Sequence, residues 1–167
     1  MLLKYILDLK SGKLPVLNEY GKYNVYGSSG IIGKTDFFNS NKESIFIGRV
    51  GNCGSLFFNK FESWASDNVI IATLSNSEFI LKYIYYFLKT INYKNISIGS
   101  TQPLLTQDII KSINIPEFSL IFQQHIVDTI GSVDDLIENY QKRITKIHEL
   151  SDMIVSKIDK WLPYDYV

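Results

Sequence analysis

The sequence contains a single cysteine, Cys53, among 167 residues. One thiol makes no intrachain disulfide and no thiolate metal cluster, which excludes disulfide scaffolds, zinc ribbons and paired-thiol redox chemistry. No run of 18 apolar residues occurs. The amino-terminal stretch MLLKYILDLKSGK is broken by Asp8 and Lys10 before it can act as a signal-peptide core. A cytoplasmic chain without a membrane span is therefore expected. Net charge is also missing, with 17 Lys or Arg against 17 Asp or Glu. That balance speaks against a uniformly basic nucleic-acid-coating protein.

What is present is apolar material: 46% of residues are hydrophobic, 14% aromatic and only 20% charged. This composition excludes a disordered chain or a polyelectrolyte tail and predicts a buried core. The length suits one ordinary domain plus a modest extra element. The charges are also unevenly spread. From Met1 to Lys60 eight basic residues face four acidic ones, whereas from Ile121 to Val167 five face eight. A basic front can meet a polyanion while an acidic back does not.

Up to about residue 120 the pattern is one of short apolar runs punctuated by Gly, Ser, Asn and Asp. Ile45–Val50, Leu56–Phe58 and Asn68–Thr73 are strand-length and rich in β-branched and aromatic residues, with turn chemistry at Gly51, Asn52 and Gly54. Ser77–Asn92 repeats its apolar residues at three and four and predicts a helix packed on the sheet, with Ser75 or Ser77 as N-cap. Thr106 precedes a short helix expected over Gln107–Ser112. Ile113–Ile115 before Pro116 reads as an edge strand or extended exit.

Beyond Ser119 the texture changes. Ile126, Ile130, Val133, Ile137, Tyr140, Ile144, Ile147, Ser151, Ile154, Ile158 and Trp161 alternate at spacings of four and three, and only Ser151 is polar. Leu150 can fill that layer. No proline falls between Pro116 and Pro163, and Gly131 is the only glycine there. Such spacing specifies one long helix with an apolar seam that must meet another helix. About 36 residues at about 1.5 Å rise make a rod of about 54 Å. Self-pairing through this helix is the expectation, and folding back onto the chain's own globular part is the alternative.

Tyr26–Thr35 (YGSSGIIGKT) resembles a phosphate loop superficially, but five positions before Gly33 stands Ser28 rather than glycine, so the Walker register fails. The segment then reads either as a glycine-rich connection between strands or as a flexible backbone, flanked by Lys22 and Lys34, that approaches a ligand closely. Ile45–Phe58 (IFIGRVGNCGSLFF) places Arg49 and Asn52 in a tight turn, where both side chains suit phosphate contacts and base edges if they project into solvent. The plainer alternative is a surface arginine and an asparagine that makes the turn. Gly99–Gln107 (GSTQPLLTQ) offers a second cluster of small donors. Nucleophilic catalysis by Cys53 or Ser55 with His125 or His148 as base lacks an elbow motif, and both histidines lie in the heptad helix. The tetrad expected for adenine methyl transfer is missing, as are converging carboxylates followed by lysine for a metal nuclease. No catalytic residue, metal or cofactor is expected in this chain.

Taken in order, Tyr23–Gly33 (YNVYGSSGIIG), Ile47–Gly54 (IGRVGNCG), Trp64–Ile71 (WASDNVII), Gly99–Leu105 (GSTQPLL), Ile115-Pro116 and the Gln123–Val127 helix entry resemble the DNA specificity domain of Type I restriction-modification systems. The resemblance spans nearly the whole chain. It implies an α+β fold, with a mixed globular target recognition domain over residues 1–119, a long C-terminal coiled-coil helix over 120–162 and a short tail, 163–167. Full subunits of that family look like two such units in tandem with their helices antiparallel, each domain reading half of a split DNA site. A single unit implies a half-subunit that pairs with itself, a truncated product or an excised fragment.

The implied function is non-catalytic recognition of double-stranded DNA, directing DNA adenine methyltransferase subunits, which supply S-adenosylmethionine and the chemistry, and a restriction subunit where one joins. On that reading Lys22, Lys34 and Arg49 would set phosphate register, while Asn52, Ser100, Thr101 and Gln102 read base edges. Tyr26 and Ser28 complete the expected DNA-binding set. Ile126, Ile130, Val133, Ile137, Tyr140, Ile144, Ile147, Ile154 and Ile158 would form the dimer seam. The rival expectation is a coiled-coil scaffold for other proteins that never touches DNA.

Overall fold

The computed structural model describes residues 1–99 and 103–159. Its strands are β1 (Leu7–Ser11), β2 (Tyr23–Gly27), β3 (Gly30–Thr35), β4 (Ser44–Gly48), β5 (Leu56–Asn59), β6 (Trp64–Ala65) and β7 (Val69–Leu74). The helices are α1 (Leu81–Lys89), α2 (Gln107–Ser112) and α3 (Leu120–Asp159). The fold is α+β with a long C-terminal helix, as expected.

β1, β7, β4 and β5 form, in that order, an antiparallel four-stranded sheet, and β3, β2 and β6 form a second sheet in which β2 and β6 run parallel. The larger sheet is covered on both faces. Ile45 and Ile47 of β4 and Ile70 and Ala72 of β7 share a core with Tyr83, Ile84 and Leu88 of α1 and Ile110 of α2. Phe46, Val69 and Ile71 point the other way and join Ala65 of β6, with Tyr26 and Phe57 packed against them. Every residue of β4 is buried. A strand buried on both faces reads as a continuous apolar run, which is why β4 and β7 stand out in the sequence while the half-polar β1 and the two-residue β6 do not.

Two local expectations are corrected. Residues 26–35 are not an open, flexible backbone: β2 and β3 form a hairpin whose strands extend into this segment and are connected by a two-residue turn, Ser28-Ser29, with a bulge at Val25/Tyr26. The glycines that suggested a loop supply the turn and the bulge, with Gly30 at φ 118°. α1 starts at Leu81, and neither Ser75 nor Ser77 caps it. Instead the Asn76 side chain accepts from the Glu78 amide at 2.9 Å and folds the preceding polar stretch into a turn. By contrast α2 matches its expected bounds. Thr106 Oγ1 accepts from the Ile109 amide at 3.3 Å, a side-chain N-cap. The exit strand pairs with the amino terminus, the Leu3 amide donating to Ile113 O and the Ile115 amide to Met1 O, each at 2.9 Å.

One compact unit spans Met1–Val127 and a second begins at Asp128. The first turns of α3 belong to the globular unit. Gln123 is fully buried, and Ile126 and Val127 pack against the larger core. Ile126, expected in the dimer seam, is thus half-buried against the globular core, because the apolar stripe of α3 begins by covering the domain. The remaining described seam residues are exposed, from 40% at Ile130 to 62% at Ile147. Trp161 and the segments 160–162 and 163–167 lie outside the described residues.

Candidate functional site

The β2–β3 hairpin tip rests on the β4–β5 turn. Ser55 Oγ donates to Ser28 O, which fastens the tip through its backbone. Ser28 is half-buried as a result. Close approach needs the small residues beneath it: a Cβ built on Gly48 would lie 3.1 Å from Ser28 Cβ and only 2.7 Å from Asn52 O. The turn itself is closed by Gly54 N donating to Gly48 O at 2.8 Å and Ser55 N to Asn52 O at 3.1 Å. Gly51 and Gly54 adopt positive φ, 73° and 83°, which places Asn52 outward and exposed.

A third segment joins them. Ile98 and Leu104 exchange backbone hydrogen bonds at 3.0 and 2.8 Å, Leu104 bridges Val50, and the Leu105 amide donates to Arg49 O at 2.9 Å. Ser100, Thr101 and Gln102 fall between these paired residues in sequence and lie outside the described residues. The tertiary pairing therefore sets the described flank of the second motif, Leu104 and Leu105, beside Arg49 and Val50, although 49 and 104 are far apart along the chain.

Arg49 is not at a solvent-exposed hairpin tip. It follows β4 directly, its amide donates to Asn68 O at 3.0 Å, and the residue is half-buried. Its Nε is buried without a hydrogen-bond partner among the described residues. A buried donor left unpaired costs free energy, so this Nε is a candidate for a contact beyond those the described residues make.

The other expected residues separate. Lys34 pairs across the hairpin with Asn24, and Lys22 precedes Tyr23, which pairs with Thr35. Both lysines are exposed at the end of the hairpin opposite Ser28, about 13 Å away for Lys34 and about 20 Å for Lys22 at about 3.3 Å per strand residue. Lys22 Nζ donates to Tyr23 Oη at 3.2 Å, and that bond raises its pKa above the usual lysine value. Tyr26 is turned inward. Its ring meets Phe46 edge-on at 5.2 Å and Phe57 at 5.8 Å, and burial raises its phenol pKa. It seats the hairpin on the sheet rather than offering a free ring.

Cys53 and Ser55, weighed as nucleophiles, are engaged otherwise. Ser55 spends its proton on Ser28 O, and burial raises the Cys53 pKa, leaving little thiolate near neutral pH. Beneath Cys53 and Gly54 lies Tyr93, a residue that no motif in the sequence singles out. Its hydroxyl donates to Leu88 O at 3.1 Å, and burial pushes its phenol far above the ordinary tyrosine range. The signal that marks it is local: Asn92 caps the turn Tyr93–Asn95 by accepting from the Lys94 amide.

The model of the Type I restriction modification DNA specificity domain matches residues 2–149. The chain belongs to this family. A curated type I specificity subunit of Mycoplasma genitalium is 28% identical over 162 residues, covering 92% of this chain and 42% of that protein. The specificity subunit of the MjaIX type I restriction enzyme of Methanocaldococcus jannaschii is 40% identical over 68 residues, 38% of this chain and 16% of its own. Among solved structures, the S subunit of a type I restriction-modification system from M. genitalium superposes with a TM-score of 0.83 at 25% identity, covering 94% of this chain and 44% of that one. The HsdS subunit of Thermoanaerobacter tengcongensis shares the fold, with a TM-score of 0.62 at 12% identity over 83% of this chain and 37% of its own. The specificity domain described here thus spans less than half the length of those proteins.

Proposed function

We propose that this specificity domain reads one half of a bipartite duplex DNA site and directs the enzymatic subunits of a Type I restriction-modification system without performing chemistry itself. The observation that carries this reading is the convergence of the Ser28 tip, the Arg49–Gly54 turn and the Ile98–Leu104 pair, the middle one bearing a buried Arg49 Nε with no partner among the described residues. Arg49 and the exposed Asn52, carried on one turn, are side chains suited to bidentate contacts with base edges, and Ser100, Thr101 and Gln102 are assigned to the same task. Lys22 and Lys34 are assigned to phosphate contacts, a role that tolerates their distance from the tip. Residues 1–119 are the reader and 120–162 the spacer, with 163–167 a tail.

The partners follow from the same reading. From Ile130 to Ile158 the seam of α3 exposes an apolar stripe, and we assign it to a second copy of the helix. Its charge is graded: Asp128, Asp134, Asp135 and Glu138 come first, and Lys142, Arg143, Lys146 and Lys157 later, with Glu149 and Asp152 among them. Antiparallel pairing sets the acidic part against the basic part, whereas parallel pairing sets like against like. About 40 helical residues at about 1.5 Å rise span about 60 Å, enough to hold two readers more than one duplex turn apart. DNA adenine methyltransferase subunits bring S-adenosylmethionine, a restriction subunit joins for cleavage, and the assembly works in the cytoplasm. Among the described residues no helix is long and apolar enough to cross a membrane.

Co-expression with an adenine methyltransferase subunit, followed by genome-wide mapping of methylated adenines, tests the reading. A split, inverted-repeat motif that disappears with Arg49→Ala plus Asn52→Ala is expected. Methylation that is absent, or unaltered in that variant, overturns it and favours the scaffold.

A further inference from the structure

Gly54 and Tyr93 are packed so closely that no side chain fits between them. A Cβ on Gly54 would lie 2.2 Å from Tyr93 Cγ and 2.3 Å from Cδ2. The Tyr93 ring is buried, and its hydroxyl is fixed on Leu88 O at the end of α1. Its carbonyl accepts from the Ile96 amide at 3.2 Å and the Ser97 amide at 2.9 Å, which launches the chain toward the Ile98–Leu104 pair. The ring therefore bears on the Arg49–Gly54 turn, while its backbone sets the path of the segment that pairs with Arg49 and Val50.

We propose that Tyr93 is a positioning residue: without touching DNA it holds the turn carrying Arg49 and Asn52 in register with the segment flanking residues 100–102. The inference rests on the reading of these segments as a DNA interface. Two donors read a base pair only when both stay within a few tenths of an ångström of their geometry, so a support common to both segments governs discrimination more than affinity. Phosphate contacts by Lys22 and Lys34 lie at the other end of the hairpin and do not depend on it.

The test compares Tyr93→Leu, which removes the ring face, with Tyr93→Phe, which removes only the hydroxyl. Amide hydrogen exchange of the purified full chain comes first. In Tyr93→Leu the amides of Gly54, Ser55, Leu104 and Leu105 are expected to exchange about tenfold faster together, while those of Ile45 and Ile71 keep their wild-type rates. Acceleration throughout the sheet, or in only one of the two segments, overturns the coupling. The second arm maps methylation in cells carrying the methyltransferase subunit. Tyr93→Leu is expected to relax the motif by about tenfold at one or more positions while retaining total methylation, and Tyr93→Phe to keep the motif. A uniform loss with the motif unchanged assigns Tyr93 to stability alone and overturns the proposal. If the wild-type chain directs no motif, the DNA reading falls, and the exchange arm still decides whether Tyr93 joins the two segments.

Discussion

The side chain of Gln123, in the first turn of α3, accepts a hydrogen bond from the Ile80 amide at 2.9 Å, completing a helix whose N-cap position offers no side-chain oxygen of its own. Gln123 Nε2 donates in turn to Glu78 O at 2.9 Å and to Phe118 O at 2.8 Å. Fully buried and satisfied in three directions, Gln123 ties the start of the long helix to the turn before α1. Replacing it with Leu orphans one buried donor and two carbonyls. A loss of about 2–4 kcal/mol is expected, read as a lower urea midpoint at constant slope. Gln123→Glu keeps the acceptor but sets a carboxylate against two carbonyls, so it should be no better at neutral pH. A midpoint close to wild type in both variants contradicts the assignment.

The seam residues Ile137 and Ile144 are about half-exposed. If they face a second copy, Ile137→Asp or Ile144→Asp buries charge at the interface and shifts the chain to monomer in sedimentation velocity, with near-ultraviolet circular dichroism of the globular unit unchanged. A wild-type chain that sediments as a monomer at micromolar concentration defeats self-pairing.

Arg49 and Lys34 are expected to fail differently. Arg49→Ala should lower discrimination between the mapped motif and a scrambled duplex by about tenfold or more. Lys34→Ala should weaken both duplexes alike and reduce the salt slope of log K by about one. Fluorescence anisotropy across a salt series separates the two. Equal effects on discrimination would erase the distinction drawn between tip and hairpin base.

Tyr26 packs between Phe46 and Phe57. Tyr26→Ala should therefore cost about 3 kcal/mol, and Tyr26→Phe less than about 1 kcal/mol. Thermal and urea unfolding measure both. Duplex affinity lost in Tyr26→Phe with stability intact would instead make the hydroxyl a reader.

Burial raises the pKa of Tyr26, Tyr83, Tyr93 and Cys53. Such groups keep their protons in the folded chain after the unfolded chain has released them. Their contribution is thus fully present below the ordinary pKa and is lost as pH rises above about 9 to 10. The urea midpoint should fall over that range, and Tyr93→Phe should flatten part of the fall. A midpoint independent of pH up to 11 contradicts the burial of these groups.

Local signals were legible where one segment carries its own explanation. α2 begins after Thr106 because a threonine oxygen can reach the third amide, and β4 and β7 announce themselves because both faces are covered. The hairpin over residues 23–35 was hidden because its glycines, needed for a turn and a bulge, look like a loop when read singly. The start of α1 was misplaced because its cap is Gln123, more than forty residues away. Arg49 was expected in solvent because nothing nearby in sequence reveals that Asn68 and Leu105 hold it.

From the order of residues alone came the family resemblance, carried by short motifs in sequence along nearly the whole chain, and the mixed fold and long heptad helix, which rest on periodicity within a few turns of chain. Tertiary structure alone decided which polar groups meet: Ser28 on the Arg49–Gly54 turn, Leu104 beside Val50, and Tyr93 beneath Gly54. Strand pairing and close packing join segments tens of residues apart, and no local pattern records which distant partner satisfies a given amide or fills the space over a given glycine.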